Sequence, residues 1–143
     1  MADSGANAHI TNQLENLQIQ QPFQQIEEVG VRNGTGLKIE NTGSSLFQSP
    51  NLASFKLNDV LHCPQASANL LSIQKFCTDN HCYFILTAFH YFVKDLLTHV
   101  TLLEGRSENG LYLLQLGKLP HRGTKTFIAL FGIKTTSLVW HLD

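Results

Sequence analysis

Four short runs rich in β-branched and aromatic residues, Cys82–Leu86, Phe89–Lys94, Val100–Glu104 and Leu111–Leu116, follow one another in the second half of the chain. Turn chemistry separates them, most clearly at Gly105-Arg106-Ser107-Glu108-Asn109-Gly110. Runs this short and this close together leave no room for crossover helices, so they pair as antiparallel neighbours. The first half adds more of the same kind. Val29 and Val31 alternate with Gly30 and Arg32, Asn33-Gly34-Thr35-Gly36 supplies residues that tolerate positive φ, and Leu37 and Ile39 resume the alternation, which predicts a β-hairpin. Turns at Asn41-Thr42-Gly43 and Ser49-Pro50-Asn51 bracket a strand near Ser45 to Gln48, and Phe55 to Leu61 reads as another, closed by Pro64. One segment breaks the pattern: with Ser67 or Asn69 as cap, Leu70, Leu71, Ile73, Phe76 and Cys77 recur at helical spacing up to Asp79-Asn80. The fold class expected is mainly β, a small closed barrel with one short helix, followed by an irregular C-terminal tail from residue 117.

At 143 residues and 43% apolar, the chain has material for one compact domain plus a tail. Ten basic and eleven acidic residues cancel to a net charge of -1, so charge points to no class of partner. Cys63, Cys77 and Cys82 are too few for a disulfide framework, and the N-terminus has no basic flank, apolar run and small-residue cleavage site in succession, so an intracellular, cytoplasmic setting is expected. The apolar stretch from Phe127 to Trp140 is interrupted by Gly132, Lys134 and Thr135-Thr136-Ser137 and is shorter than the roughly 20 residues that span a bilayer, so no membrane partner is expected. Gln13, Gln18, Gln20, Gln21, Gln24 and Gln25 make the first third the least specified part.

The tetrapeptide Asp3-Ser4-Gly5-Ala6 has the chemistry of an aspartic-peptidase loop: a carboxylate to aim into a cleft, a small hydroxyl, and a glycine for a tight turn. Two such carboxylates sharing one proton activate a water, because like charges at close range titrate apart. One chain supplies one of them, so the arrangement requires a homodimer with the pair on its two-fold axis. The same residues also serve as a turn or helix cap near a terminus.

Several motifs in order favour the first reading. Asp3-Ser4-Gly5-Ala6-Asn7-Ala8-His9-Ile10-Thr11, Val31 to Ile39, Leu57-Asn58-Asp59-Val60-Leu61-His62-Cys63-Pro64 and Ala68-Asn69-Leu70-Leu71-Ser72-Ile73 together resemble the Pol polyprotein of copia-type plant retrotransposons. The likeness continues through Phe92-Val93-Lys94-Asp95 and Asn109-Gly110-Leu111-Tyr112 to Leu138-Val139-Trp140-His141. The resemblance implies a retropepsin-like barrel over residues 1–95 and the incomplete start of the pre-integrase segment over 96–143. It makes Asp3 the catalytic aspartate, with Ser4 and Gly5 completing its loop, and places Asn33, Gly34, Thr35 and Gly36 in a flap over a peptide or polyprotein substrate. In that family an apolar strand precedes the loop, whereas only Met1 and Ala2 do here; the barrel domain is therefore expected to be N-terminally truncated. Catalytic carboxylates need a supporting shell good to about 0.5 Å, which makes little or no activity the expectation. The family's zinc site lies beyond the Trp-His pair, and only His141 of its ligands is present, so neither metal nor other cofactor is expected.

His62-Cys63, Cys77, His81-Cys82 and His90 lack the spacing of a zinc site. Tyr83, Phe84, Phe89, Tyr91 and Phe92 read as core rather than as a base-stacking platform. Lys118, Arg122, Lys125 and Lys134 give the tail a basic character that suits a weak nucleic-acid contact, and a non-catalytic remnant of the barrel binding nucleic acid or another polypeptide is the alternative function.

Overall fold

The computed structural model describes residues 8–17, 19–22, 28–29, 37–119 and 123–130. Its strands are β1 (Ile10–Thr11), β2 (Ile19–Pro22), β3 (Glu28–Val29), β4 (Leu37–Lys38), β5 (Asn41–Gln48), β6 (Ser54–His62), β7 (Asn69–Ser72), β8 (Cys82–Leu86), β9 (His90–Asp95), β10 (Thr101–Glu108), β11 (Leu111–Lys118) and β12 (Thr124–Leu130). Among the described residues a single α-helix, α1 (Ile73–Asn80), lies between β7 and β8, and a 3-10 turn covers Leu14–Asn16.

Six strands close a barrel in the order β5-β6-β1-β7-β12-β11, shut where Gly117 and Lys118 pair with Gln48 and Phe47. The mainly β class with a closed barrel and one helix is thus borne out. β2 lies along the first half of β5, and β10, β9 and β8 continue the sheet outward from the start of β11 as an antiparallel meander. The boundary expected between residues 95 and 96 falls inside the β9–β10 hairpin, whose ladder joins Lys94 to Thr101 and Tyr91 to Gly105.

Alternation divides the buried residues between two clusters. Phe47, Phe55, Leu57, Leu71, Leu114, Leu116, Phe127 and Ala129 form the larger one, which continues through Phe76 to Tyr91, Val93 and Leu103 of the meander. Their neighbours Leu70 and Ile128 turn the other way and join Ile10, Ile39, Cys63 and Ala66. Leu70 and Leu71 are consecutive and both fully buried, as expected of a strand covered on both faces.

This double burial corrects the helix start. Residues 69–72, expected to open the helix, are extended between β1 and β12, and the helix begins at Ile73 with Ser72 as its cap, its hydroxyl accepting from the Lys75 N–H at 3.3 Å. Asn80 docks the helix on β6: its amide accepts from the Lys56 N–H at 2.8 Å and donates to the Lys56 carbonyl at 2.9 Å. Phe76, at 0% exposure, sits between Phe55 and Phe84 with ring centroids 5.0 and 5.7 Å away, a burial worth about 2–3 kcal/mol.

Two more expectations change. Asn41-Thr42-Gly43, read as a turn, is strand paired on both sides, to Pro22-Gln21-Gln20 and to His62-Leu61-Val60. The irregularity lies opposite, where Asp59 takes φ 52° and β6 carries one extra residue against the Gly43–Ser45 step, a bulge. Residues 124–130, expected to belong to the irregular tail, form β12 and fill the gap between β7 and β11. The remainder of the tail lies outside the described residues.

Candidate functional site

β1 is two residues long, yet it is held on both edges. It runs parallel to β6 and antiparallel to β7, so that it separates two strands that are consecutive in the chain. The Leu61 and Cys63 N–H groups donate to the His9 and Thr11 carbonyls at 2.8 Å. Side chains extend the hold. The Thr11 hydroxyl donates to Asn69 Oδ1 at 2.7 Å and accepts from Asn16 Nδ2 at 2.8 Å, while Asn69 Nδ2 donates to the Thr126 carbonyl at 3.2 Å, so one amide ties β1, β7 and β12 together. Asn12 Nδ2 donates to the Ala66 carbonyl at 3.1 Å, and the Ser45 hydroxyl donates to the Asn16 carbonyl. Buried polar groups linked in this way specify a single arrangement, because each would be costly to leave unpaired.

His9 is wholly buried, and its Nδ1 accepts the Ser72 N–H at 3.1 Å. The ring is therefore the neutral tautomer with its proton on Nε2, and that N–H has no hydrogen-bond partner among the described residues. Burial, with the Lys75 ammonium adding to it, pushes the His9 pKa down to about 3.

The expected catalytic residues Asp3, Ser4 and Gly5 and the expected flap residues Asn33, Gly34, Thr35 and Gly36 lie outside the described residues. Segments near them are described. Ala8 and β1 follow the first group in the chain; β3 and β4 bracket the second, antiparallel, with Glu28 opposite Lys38 and Val29 opposite Leu37. From β4 the chain runs into Ile39, which is buried with Ile10 and Leu70, and Leu37 packs on the same cluster. The Glu40 N–H then donates to the His62 carbonyl at 2.9 Å. One apolar cluster therefore roots both the strand that leaves the candidate loop and the return arm of the candidate flap.

The other candidate groups separate. Among the described residues no three His, Cys, Asp or Glu side chains come together as a metal site. His62 Nδ1 faces Asn41 Nδ2 at 3.0 Å and Cys63 is buried in the second cluster. Of the aromatic group, Tyr91 and Phe84 enter the core, Phe89 is exposed, Phe92 stacks on His90 and Tyr83 meets His99, so they form no continuous platform. Lys125, the one tail cation whose side chain is described, pairs with Glu15 at 3.0 Å. No helix among the described residues is long and apolar enough to cross a membrane.

Comparison with known proteins decides the family. The family of the Pol polyprotein β-barrel domain matches residues 1–82, more than half of the chain. The chain belongs to that family. Two curated Pol relatives, the retrovirus-related Pol polyproteins from transposons RE2 and RE1 of Arabidopsis thaliana, are 35% and 33% identical to it over 112 residues. Those residues are 78% of this chain and 8% of each relative, so the chain spans a small part of the Pol polyproteins it matches. No solved structure matches it. The resemblance to retrotransposon Pol polyproteins read from the sequence is borne out, and the chain is a segment of such a polyprotein containing its β-barrel domain. The Pol β-barrel match ends at residue 82, whereas the strands that shut the barrel, β11 and β12, lie beyond it.

The Asn16–Thr11–Asn69 framework and the buried His9 are not visible in the sequence patterning. No local signal marks it, since the burial of Ile10 and Leu70 beside Thr11 and Asn69 is set by the fold. Local chemistry instead makes Asn69 a candidate helix cap.

Proposed function

We propose that this domain is derived from the aspartic endopeptidase that processes its Pol polyprotein, with Asp3 as the catalytic carboxylate, Ser4 and Gly5 shaping its loop, and Asn33 to Gly36 as the flap over an extended peptide. The supporting observation is the shared root of the two elements: Ile10, on the strand that follows the loop, and Ile39, on the arm that follows the flap, are buried in one cluster with Leu70. A barrel built in this way holds the exits of both segments in a fixed relation, which a peptidase needs and a passive module does not. Catalysis requires two chains. Two Asp3 carboxylates sharing one proton let one act as base towards a water while the other, protonated, donates to the substrate carbonyl.

Incubating the folded chain and its Asp3→Asn variant with a fluorogenic peptide library at mildly acidic pH, with sedimentation velocity on the same samples, tests this. Cleavage that depends on Asp3 and tracks the dimer supports the proposal. Cleavage that the Asp3→Asn variant retains in full refutes Asp3 as the catalytic carboxylate, whereas a folded chain that cleaves nothing is the inactive descendant expected from the sequence, a non-catalytic barrel whose partner is a nucleic acid or another polypeptide.

A further inference from the structure

Two thiols stand apart from everything used above. α1 ends in a left-handed cap: His81, at φ 50° and ψ 54°, donates its N–H to the Cys77 carbonyl. At helix ends of this type the residue just past the left-handed position commonly packs its side chain on the residue that supplies that carbonyl or on its neighbour. Here those positions hold Cys82 and Cys77. Cys82 is a buried member of the larger core cluster, and Cys77, half-buried, packs against the same cluster. The neighbouring Cys82 thiol, with the larger effect, lowers the Cys77 pKa against the opposing pull of burial, the Phe84 N–H adds to it, and the Cys82 pKa is raised in turn. Cys77, half-buried where Cys82 is buried and the more acidic of the two, is the better placed to attack. Cys63 is the internal contrast, with its thiol pushed up to about 12, first by burial and then by Glu40.

We propose that Cys77 and Cys82 form a redox-reactive dithiol that closes to a disulfide by exchange with a small disulfide such as oxidised glutathione. The Cys77 thiolate attacks one glutathione sulfur, forming a mixed disulfide and releasing the first glutathione thiolate. Cys82 then attacks the Cys77 sulfur, its proton passing to the second departing glutathione. The cysteine pair is oxidised by two electrons and one glutathione disulfide is reduced to two thiols. The closed form staples the last turn of α1 to the first residue of β8, and it is independent of whether the barrel cleaves peptides.

The test treats the full folded chain with oxidised glutathione and follows intact mass and peptide maps. Expected is the loss of two hydrogens with no glutathione retained, Cys77 and Cys82 joined and Cys63 still free to alkylate. The Cys82→Ser variant traps one glutathione on Cys77, and Cys77→Ser reacts at least about tenfold more slowly than the unaltered chain. Glutathione retained on Cys77 of the unaltered chain, or Cys63 reacting as fast as Cys77, overturns the proposal. A last arm in concentrated urea separates structure from sequence proximity: Cys77 and Cys63 should then react at similar rates, and preference for Cys77 persisting there would overturn the role of the helix cap.

Discussion

Acidification should weaken this fold well before its carboxylates titrate, and His9 is the reason. In the unfolded chain this histidine takes up a proton near pH 6.5; in the folded chain it stays neutral down to about 3, because protonation would charge a wholly buried ring and leave the Ser72 N–H facing a second donor. The folded value lies below the unfolded one, so the unfolded state binds the extra proton and stability falls as pH drops through 6.5, levelling off only below 3. Between pH 7 and 4.5 the two values give a loss of about 2.5 kcal/mol, or roughly 10 °C in Tm for a chain of this size. Lys75, itself paired with Asp59 at 3.4 Å and Asp79 at 3.8 Å, acts on the ring in the same direction. Asp95, whose carboxyl is held below its usual range first by the Thr98 N–H and then by the Leu97 N–H, makes its own contribution at lower pH, from the unfolded carboxylate value of 3.8 downward. Urea unfolding of the unaltered chain and of His9→Asn at a series of pH values isolates the effect, since an asparagine Oδ1 can accept from Ser72 and does not titrate. The variant should start less stable, owing to the smaller side chain, and lack the His9 part of the slope. Equal slopes for the two proteins between pH 7 and 4.5 would refute the reasoning.

Three further outcomes follow from particular contacts. Asn69→Ala removes the acceptor of the Thr11 hydroxyl and the donor to the Thr126 carbonyl and should cost about 2–3 kcal/mol in urea unfolding, while the exposed Gln74→Ala should cost under about 0.5 kcal/mol. Gly105 lies opposite Tyr91, whose ring atoms would come within 2.6 Å of an added Cβ, so Gly105→Ala should destabilise by about 1–3 kcal/mol. Combining it with Tyr91→Leu should yield a coupling energy well away from zero in a double-mutant cycle. A chain ended after Leu119 loses β12, leaves the facing edges of β7 and β11 unpaired, and should sediment as aggregate where the full chain does not.

The sequence made the meander legible because each of its strands has one buried face and its turns are local. β8 to β11 lie within a few residues of the runs read from Cys82 to Leu116. The hairpin expected on either side of Asn33-Gly34-Thr35-Gly36 corresponds to the pairing of β3 with β4. What failed was decided at long range. Leu70 and Leu71 fit a helix face and a doubly buried strand equally well, and the choice was made by β12, whose Ile128 and Ala129 pair with them. Asn41 to Gly43 have turn composition, but hydrogen-bonded partners on both sides hold them extended. The site framework was hidden for the same reason. The Thr11–Asn69 bond joins residues 58 apart, and no local pattern reveals such a partner.

The manner in which the barrel shuts has a consequence for its birth on the ribosome. β5, β6, β1 and β7 are complete by residue 72, but their free edges wait for β11 and β12, and Asn69 finds the Thr126 carbonyl only when 57 further residues have been made. The meander, with its nearest-neighbour ladders, can form as it emerges; the barrel cannot. Closure of the cylinder is therefore the late step, after the stretch that includes residue 130 has cleared the exit tunnel. Until then the nascent chain exposes two unsatisfied strand edges, and synthesis that pauses between residues 72 and 124 prolongs the interval in which a neighbouring chain can occupy them.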